Sequence, residues 1–297
     1  MFDSKCLNEV DLYFKMNCPK EINEEKGFRL TDDVWIPYVD HEQENPKEFR
    51  SPRKKLVNFA ENIYKVKPLV GSFRFLSRCN SYQALMQGYN NYKKNLSNQP
   101  THKLMCYFGN AMGPKPEVNV TKPDWNWEAD IMGFYKEKLN HPNEKRAKAA
   151  SLIASKGDNY DARVISEYNS DTHGVKRHED LIVPLKDFCN HISHFEYNLN
   201  ISGYRLSIPT RFLESFIVGT AILTDKLAVK WYLPFDEEVI ETAEMGYLPD
   251  SKVDWDRVNN DIDKLPSVNK KRIIELYEKK WAPKQVAQYI LKTVLDA

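Results

Sequence analysis

The stretch SGYRLSIPTRFLESFIVGTAILTDKL, Ser202 to Leu227, sets arginines, hydroxyls, a proline, a carboxylate and a glycine between two apolar runs. Arg205, Ser207, Thr210 and Arg211 fall where a loop passes into a helix. That combination suits a phosphorylated ligand, because the free amides of a helix N-terminus favour an anion, guanidinium adds forked charged donors and hydroxyls add neutral ones. Thr210 stands at the capping position, where a side-chain oxygen accepts from the first unpaired amides. Glu214, one turn further, would accept from hydroxyls such as those of a ribose. Read without a ligand, the same residues are a cap, a solvated first-turn cation and a surface charge.

The flanking residues predict the elements that position this set. FEYNLNI reads as a strand, SGYRLSIPT as a loop, and RFLESFIVG as a helix with Phe212, Leu213, Phe216 and Ile217 toward a sheet. Gly219 ends the helix at a position that tolerates positive φ, and TAILT is the next strand. The whole is one βαβ unit, whose loop lies at the carboxyl edge of the sheet, where open α/β sheets bind ligands.

The same alternation extends along the chain. KLMCYFGNAMG reads as a strand after the unpatterned LSNQPTH, which makes a hinge near Pro100. EADIMGFYKEKL and NEKRAKAASLIAS follow as two helices or a helix and a strand, and ARVISEY, DLIVPL, FEYNLNI and AILT as short apolar runs, which is an α/β domain with a mostly parallel sheet. Upstream, VDLYFKM and VWIPYVDH read as strands and RKKLVNFAENIYKV and SYQALMQGYNNYKKNL as amphipathic helices. WDRVNNDIDKL, VNKKRIIELYEKKW and APKQVAQYILKTVL close the chain as helices, the last with proline in its first turn. The expected organisation is an amino-terminal domain over residues 1–100, a second domain over 101–275, and a terminal helix over 276–297 that either crosses back to the first or stays within the second.

Composition excludes several functions. Lys and Arg number 43 against 42 Asp and Glu, so no global field recruits nucleic acid or an anionic membrane. The five cysteines, Cys6, Cys18, Cys79, Cys106 and Cys189, have no CxxC or zinc spacing and read as reduced thiols. No apolar stretch approaches the roughly 20 residues of a membrane span. The glycine-rich dinucleotide fingerprint, the P-loop, HExxH and GxSxG are all missing. His173, His178, His191 and His194 cluster in sequence without a metal-ligand spacing and read as structural or surface histidines. Trp231 reads as core, while Trp125 and Trp127 stay open between core and sugar stacking.

SGYRLSIPTRFLESFIVGTAILTD, followed by WYLPFD, resembles the donor-binding segment of GT-B glycosyltransferases, most of all the exostosin and CAP10-like types. The likeness spans roughly residues 103–245, with ISHFEYNLNISG resembling the strand before the loop and ASKGDNYDARVIS a basic strand-end segment. It implies two Rossmann-like domains facing a cleft, the amino-terminal one here compact or incomplete, and sugar transfer from a nucleotide sugar, expected to be UDP-linked, to a carbohydrate acceptor. It further implies Arg211 and Arg205 on the diphosphate, Ser207 and Thr210 as further donors, Glu214 on the ribose, and Lys156 and Arg163 as a second pair of cations on the leaving phosphate. By position, Val183 to Phe188 would meet the base through backbone groups.

Such chemistry expels a nucleoside diphosphate while the sugar becomes oxocarbenium-like, and preplaced cations stabilise the growing negative charge. GT-B enzymes generally need no divalent metal for this, and none is expected here; Asp261 to Asp263 reads as a solvated helix face. An inverting enzyme also needs a general base. YVDHEQE offers Asp40, His41 and Glu42, with Asp32 and Asp33 as rivals, and Asp40 is the first choice with His41 beside it. The lack of a leader or span leads to the expectation of a cytoplasmic, bacterial or virus-encoded enzyme. The alternatives are a non-catalytic sugar-nucleotide or glycan-binding module, and an unrelated α/β enzyme holding a simpler phosphate.

Overall fold

The computed structural model describes residues 9–16, 18–23, 27–29, 35–36, 62–70, 90, 103–110, 142–165, 185–202, 208–245 and 252–297. In chain order the strands are β1 (Tyr13–Lys15), β2 (Cys18–Pro19), β3 (Ile22–Asn23), β4 (Gly27–Arg29), β5 (Trp35–Ile36), β6 (Val66–Pro68), β7 (Lys103–Asn110), β8 (Tyr160–Ile165), β9 (Phe195–Asn200), β10 (Ala221–Thr224), β11 (Val229–Lys230) and β12 (Val239–Glu241). The helices are α1 (Pro142–Ala154), α2 (Leu185–Ile192), α3 (Arg211–Phe216), α4 (Trp255–Asp263), α5 (Lys270–Leu276), which runs into a π-type turn at Tyr277–Trp281, and α6 (Pro283–Leu295).

The centre is a five-stranded sheet of order β12, β10, β9, β7, β8, parallel throughout. Its chemistry explains it. FEYNLN and AILT are buried nearly end to end, as strands covered on both faces must be. Of this sheet's strands β7 comes first in the chain and lies between the second, β8, and the third, β9, so the strand order reverses between β7 and β9. That reversal is the topological switch point, and in open sheets of this kind it opens a crevice at the carboxyl ends.

The core follows from these layers. Met105, Tyr107, Ile153, Phe195, Leu199, Phe212 and Leu223 are among its fully buried side chains. Trp231, at 3% exposure, packs on Phe212, Phe235 and Trp281, a knot of aromatic edges that ties α3 to the carboxyl-terminal helices. Helix α4 is capped by Asp254, which accepts from the Arg257 amide at 2.9 Å, and α5 by Asn269, which accepts from the Arg272 amide at 3.2 Å. Gly219, at φ 76°, closes the turn after α3 where an L side chain would be strained.

The reading of DLIVPL as an apolar strand run is corrected at its end: Leu185 opens α2 instead. The reason is spacing, since Leu185, Phe188, Cys189 and Ile192 recur at helical intervals. The amino-terminal strands also reach the main sheet's neighbourhood, with β2 pairing antiparallel to β11 and Lys20 bridging to Glu241 at 2.7 Å. Phe14 of β1 meets Tyr289 of α6 edge to face at 6.0 Å. Among the described residues, no helix is long and apolar enough to cross a membrane.

Candidate functional site

The switch point is flanked by the carboxyl half of β7 and by the helix that follows β9. Arg211, the first residue of α3, sends its Nη1 across to donate to the Phe108 carbonyl of β7 at 3.0 Å. Burial holds its guanidinium below the usual arginine range; Tyr107 and Glu214 oppose that, and Arg146 of α1 adds to it by like charge. Arginine still stays protonated. The same two arginines act on the buried Tyr107 phenol, whose pKa burial raises. Arg146 thus belongs to this corner, although no motif drew attention to it. The Tyr107 ring lies so close over Gly109 that a Cβ there would meet the phenol oxygen at 2.5 Å.

Thr210 departs from expectation. Its backbone is already helical (φ −56°, ψ −24°) and its hydroxyl makes no capping bond, because the Pro209 carbonyl accepts from Phe212 and starts the turn one residue early. Glu214 is only 5% exposed, so neither it nor the half-buried Arg211 is a surface charge. The structure therefore brings together Thr210, Arg211 and Glu214. Arg205, Ser207, Asp40 and His41 lie outside the described residues, as do Val183 and Pro184.

Lys156 is placed elsewhere, whereas Arg163 is the register partner of Phe108, whose carbonyl Arg211 holds. Lys156 lies in the turn before β8, at the amino edge of the sheet, and is tied to Asp263 of α4 at 2.6 Å. Because every strand runs the same way, that turn is at the opposite edge from Arg211. Arg163 lies within β8 and grips Asp161 with Nε (3.1 and 3.2 Å) and Nη2 (2.9 Å), its guanidinium 5.8 Å from the Phe108 ring centre. His191 of α2 approaches the same carboxylate, Nε2 to Oδ2 at 3.0 Å. Burial alone would raise the Asp161 pKa, but the hydrogen bonds from His191 and Arg163 outweigh it and hold it at about 2.

A second group of residues, which the sequence reading passed over, lies at the carboxyl ends of β9 and β10. Asp225 follows β10 and is fully buried. It accepts from the Ser202 amide at 3.0 and 3.2 Å, from Ser202 Oγ at 2.8 Å and from Thr224 Oγ1 at 3.2 Å. Thr224 Oγ1 accepts in turn from Asn200 Nδ2 at 3.0 Å, while Asn200 Oδ1 is buried without a partner. The signal in the sequence was an acidic residue closing an apolar strand, TAILTD. Among the described residues no group of three or more His, Cys, Asp or Glu side chains could hold a metal ion.

No protein-family model matches the chain, and no curated protein matches it either.

Proposed function

We propose that this chain is a glycosyltransferase that moves a sugar from a nucleotide-sugar donor, UDP-linked, to a carbohydrate acceptor without a divalent metal, and that its parallel sheet is the donor-binding half of a GT-B-like pair of domains. One observation carries the reading: Arg211, within the segment that resembles exostosin and CAP10-like enzymes, stands at the switch point with its guanidinium over the end of β7. A cation fixed there can hold a diphosphate and take up the charge that grows as the bond to the sugar breaks. Buried Glu214, one turn on, suits a neutral hydroxyl-bearing group rather than a second phosphate. Arg146 joins Arg211 as a diphosphate cation in this reading, in place of Lys156, and Arg163, in register with Phe108, stays with them. The base that would deprotonate the acceptor stays assigned to Asp40, with His41 beside it.

The test is calorimetric titration of wild type and Arg211→Ala with UDP, GDP, ADP, CMP and inorganic phosphate, with and without Mg²⁺. One nucleoside diphosphate should bind without metal, and Arg211→Ala should weaken it by about 10- to 100-fold, the worth of one charge-assisted hydrogen bond. Tight binding of phosphate alone would favour the simpler phosphate enzyme. Silence with every ligand would end the reading.

A further inference from the structure

We propose that Tyr107 is a further ligand-binding residue of this site: its phenol lies along β7 over Gly109, at the switch point beside Arg211, and donates a hydrogen bond to an oxygen of the diphosphate. The inference rests on the donor-site reading given above and adds to it a neutral donor that no motif singled out.

The geometry starts from the strand. Among the described residues β7 pairs with β9 as far as Cys106 opposite Asn198, whereas with β8 it continues to Asn110 opposite Ile165. The stretch from Tyr107 to Asn110 therefore has β8 on one side and the switch point on the other. Within it Arg211 Nη1 meets the Phe108 carbonyl at 3.0 Å. Tyr107 and Gly109 flank Phe108, so they share one face of the sheet. The Tyr107 ring does not stand up from that face. A Cβ on Gly109 would meet the phenol oxygen at 2.5 Å, Cζ at 2.7 Å and Cε1 at 2.9 Å, closer than real Cβ atoms come, so the side chain lies along the strand with its hydroxyl toward the carboxyl edge. Only glycine leaves room for that pose, and glycine inside a strand marks a place of close approach.

The chemistry of the hydroxyl points the same way. Tyr107 is fully buried, and burial raises its pKa, so the phenol keeps its proton and stays a donor. Among the described residues that proton has no hydrogen-bond acceptor. The charges that act on the phenol are the Arg146 and Arg211 cations, opposed by the Asp225 carboxylate. A buried hydroxyl without an acceptor keeps its desolvation penalty, which a phenylalanine of the same shape avoids. An anion rich in acceptor oxygens supplies what is missing: it takes the O–H, and it gains from the two guanidinium groups on either side of it.

Tyr107→Phe, Gly109→Ala and Arg211→Ala are each compared with wild type by urea unfolding without ligand and by calorimetric titration with UDP. Tyr107→Phe keeps the ring and should unfold at a urea concentration equal to wild type or higher, while binding UDP about tenfold or more weaker, as the loss of one hydrogen bond to a charged acceptor requires. Gly109→Ala forces the phenol aside and should weaken UDP at least as much. A Tyr107→Phe protein that unfolds at lower urea than wild type shows that the hydroxyl already has a structural partner, and overturns the proposal whether or not any nucleotide binds. Wild-type affinity for UDP in a folded Tyr107→Phe, with Arg211→Ala weakened, overturns the role of Tyr107 and leaves the donor site standing. Wild type that binds no UDP removes the donor-site reading and this role with it.

Discussion

Asp161 lies on the edge strand β8 and Asp225 just past the end of β10 in the same sheet, and the two differ in burial. Asp225 is fully buried at a carboxyl end, and an amide and two hydroxyls are among the groups that donate to it. Asp161 is half-buried near the amino end of the edge strand β8 and is held by a guanidinium and an imidazole. The first set of contacts fixes backbone and is sensitive to any lost partner, because an orphaned donor in a dry place keeps its full desolvation penalty. The second fixes side chains beside solvent, where water replaces a lost partner at small cost. A strand end that must stay fixed gains from the first arrangement, and a surface that must only stay folded is served by the second.

The largest expected effect tests the buried member. Asp225→Ala should lower unfolding free energy by roughly 3 kcal/mol, read from urea unfolding, since it strands an amide and two hydroxyls. A loss no larger than that of Asp161→Ala would erase the contrast. Asp161→Ala should cost about 1 kcal/mol by the same measurement, as a half-exposed pair of contacts does.

The contrast sharpens with pH. The Asp161 carboxyl is held at about 2 in the folded protein against an ordinary value of 3.8. A depressed carboxylate contributes stability above its unfolded pKa and loses it as pH falls through the folded one. The gap between wild type and Asp161→Asn should therefore be full above 3.8 and close toward pH 2, measured as urea midpoints across that range. A gap that stays constant through that window would falsify the account of Asp161 as held by Arg163 and His191.

The smallest effect concerns Lys156. Its ion pair with Asp263, whose side chain is 53% exposed, should be worth about 0.5 kcal/mol, so Lys156→Ala should barely move the urea midpoint. It should also leave UDP affinity unchanged, because the turn before β8 is at the wrong edge. A marked loss of UDP binding in Lys156→Ala would place the diphosphate away from Arg211 and undo the assignment of this edge.

Much of the fold was legible in the residues. The apolar runs KLMCYF, FEYNLN and AILT became the central strands β7, β9 and β10, and the helices from Trp255 onward fall where their spacing and caps put them. Gly219 takes the positive φ that its place after the helix called for. Of the candidate site, Arg211 and Glu214 were legible because loop, helix and glycine occur in sequence. What misled was purely local evidence. Thr210 has the right chemistry for a cap, yet Pro209 beside it starts the turn early. Lys156 looks like a free cation, and its partner, Asp263 of a distant helix, is invisible to a motif.

The sequence by itself determined the strand and helix segments, because periodicity, proline and glycine act within a few residues of where they stand. It also determined that a cation and a carboxylate stand one turn apart on the helix after β9. The tertiary structure alone decided the strand order, and with it the switch point between β7 and β9, since which strands become neighbours depends on contacts made across the whole chain. It likewise decided that Arg211 meets Phe108, 103 residues away, and that Asp225 meets Ser202, 23 residues away. Charge and hydrogen bonding act over a few ångströms of space, and only folding brings residues so far apart in sequence within that reach.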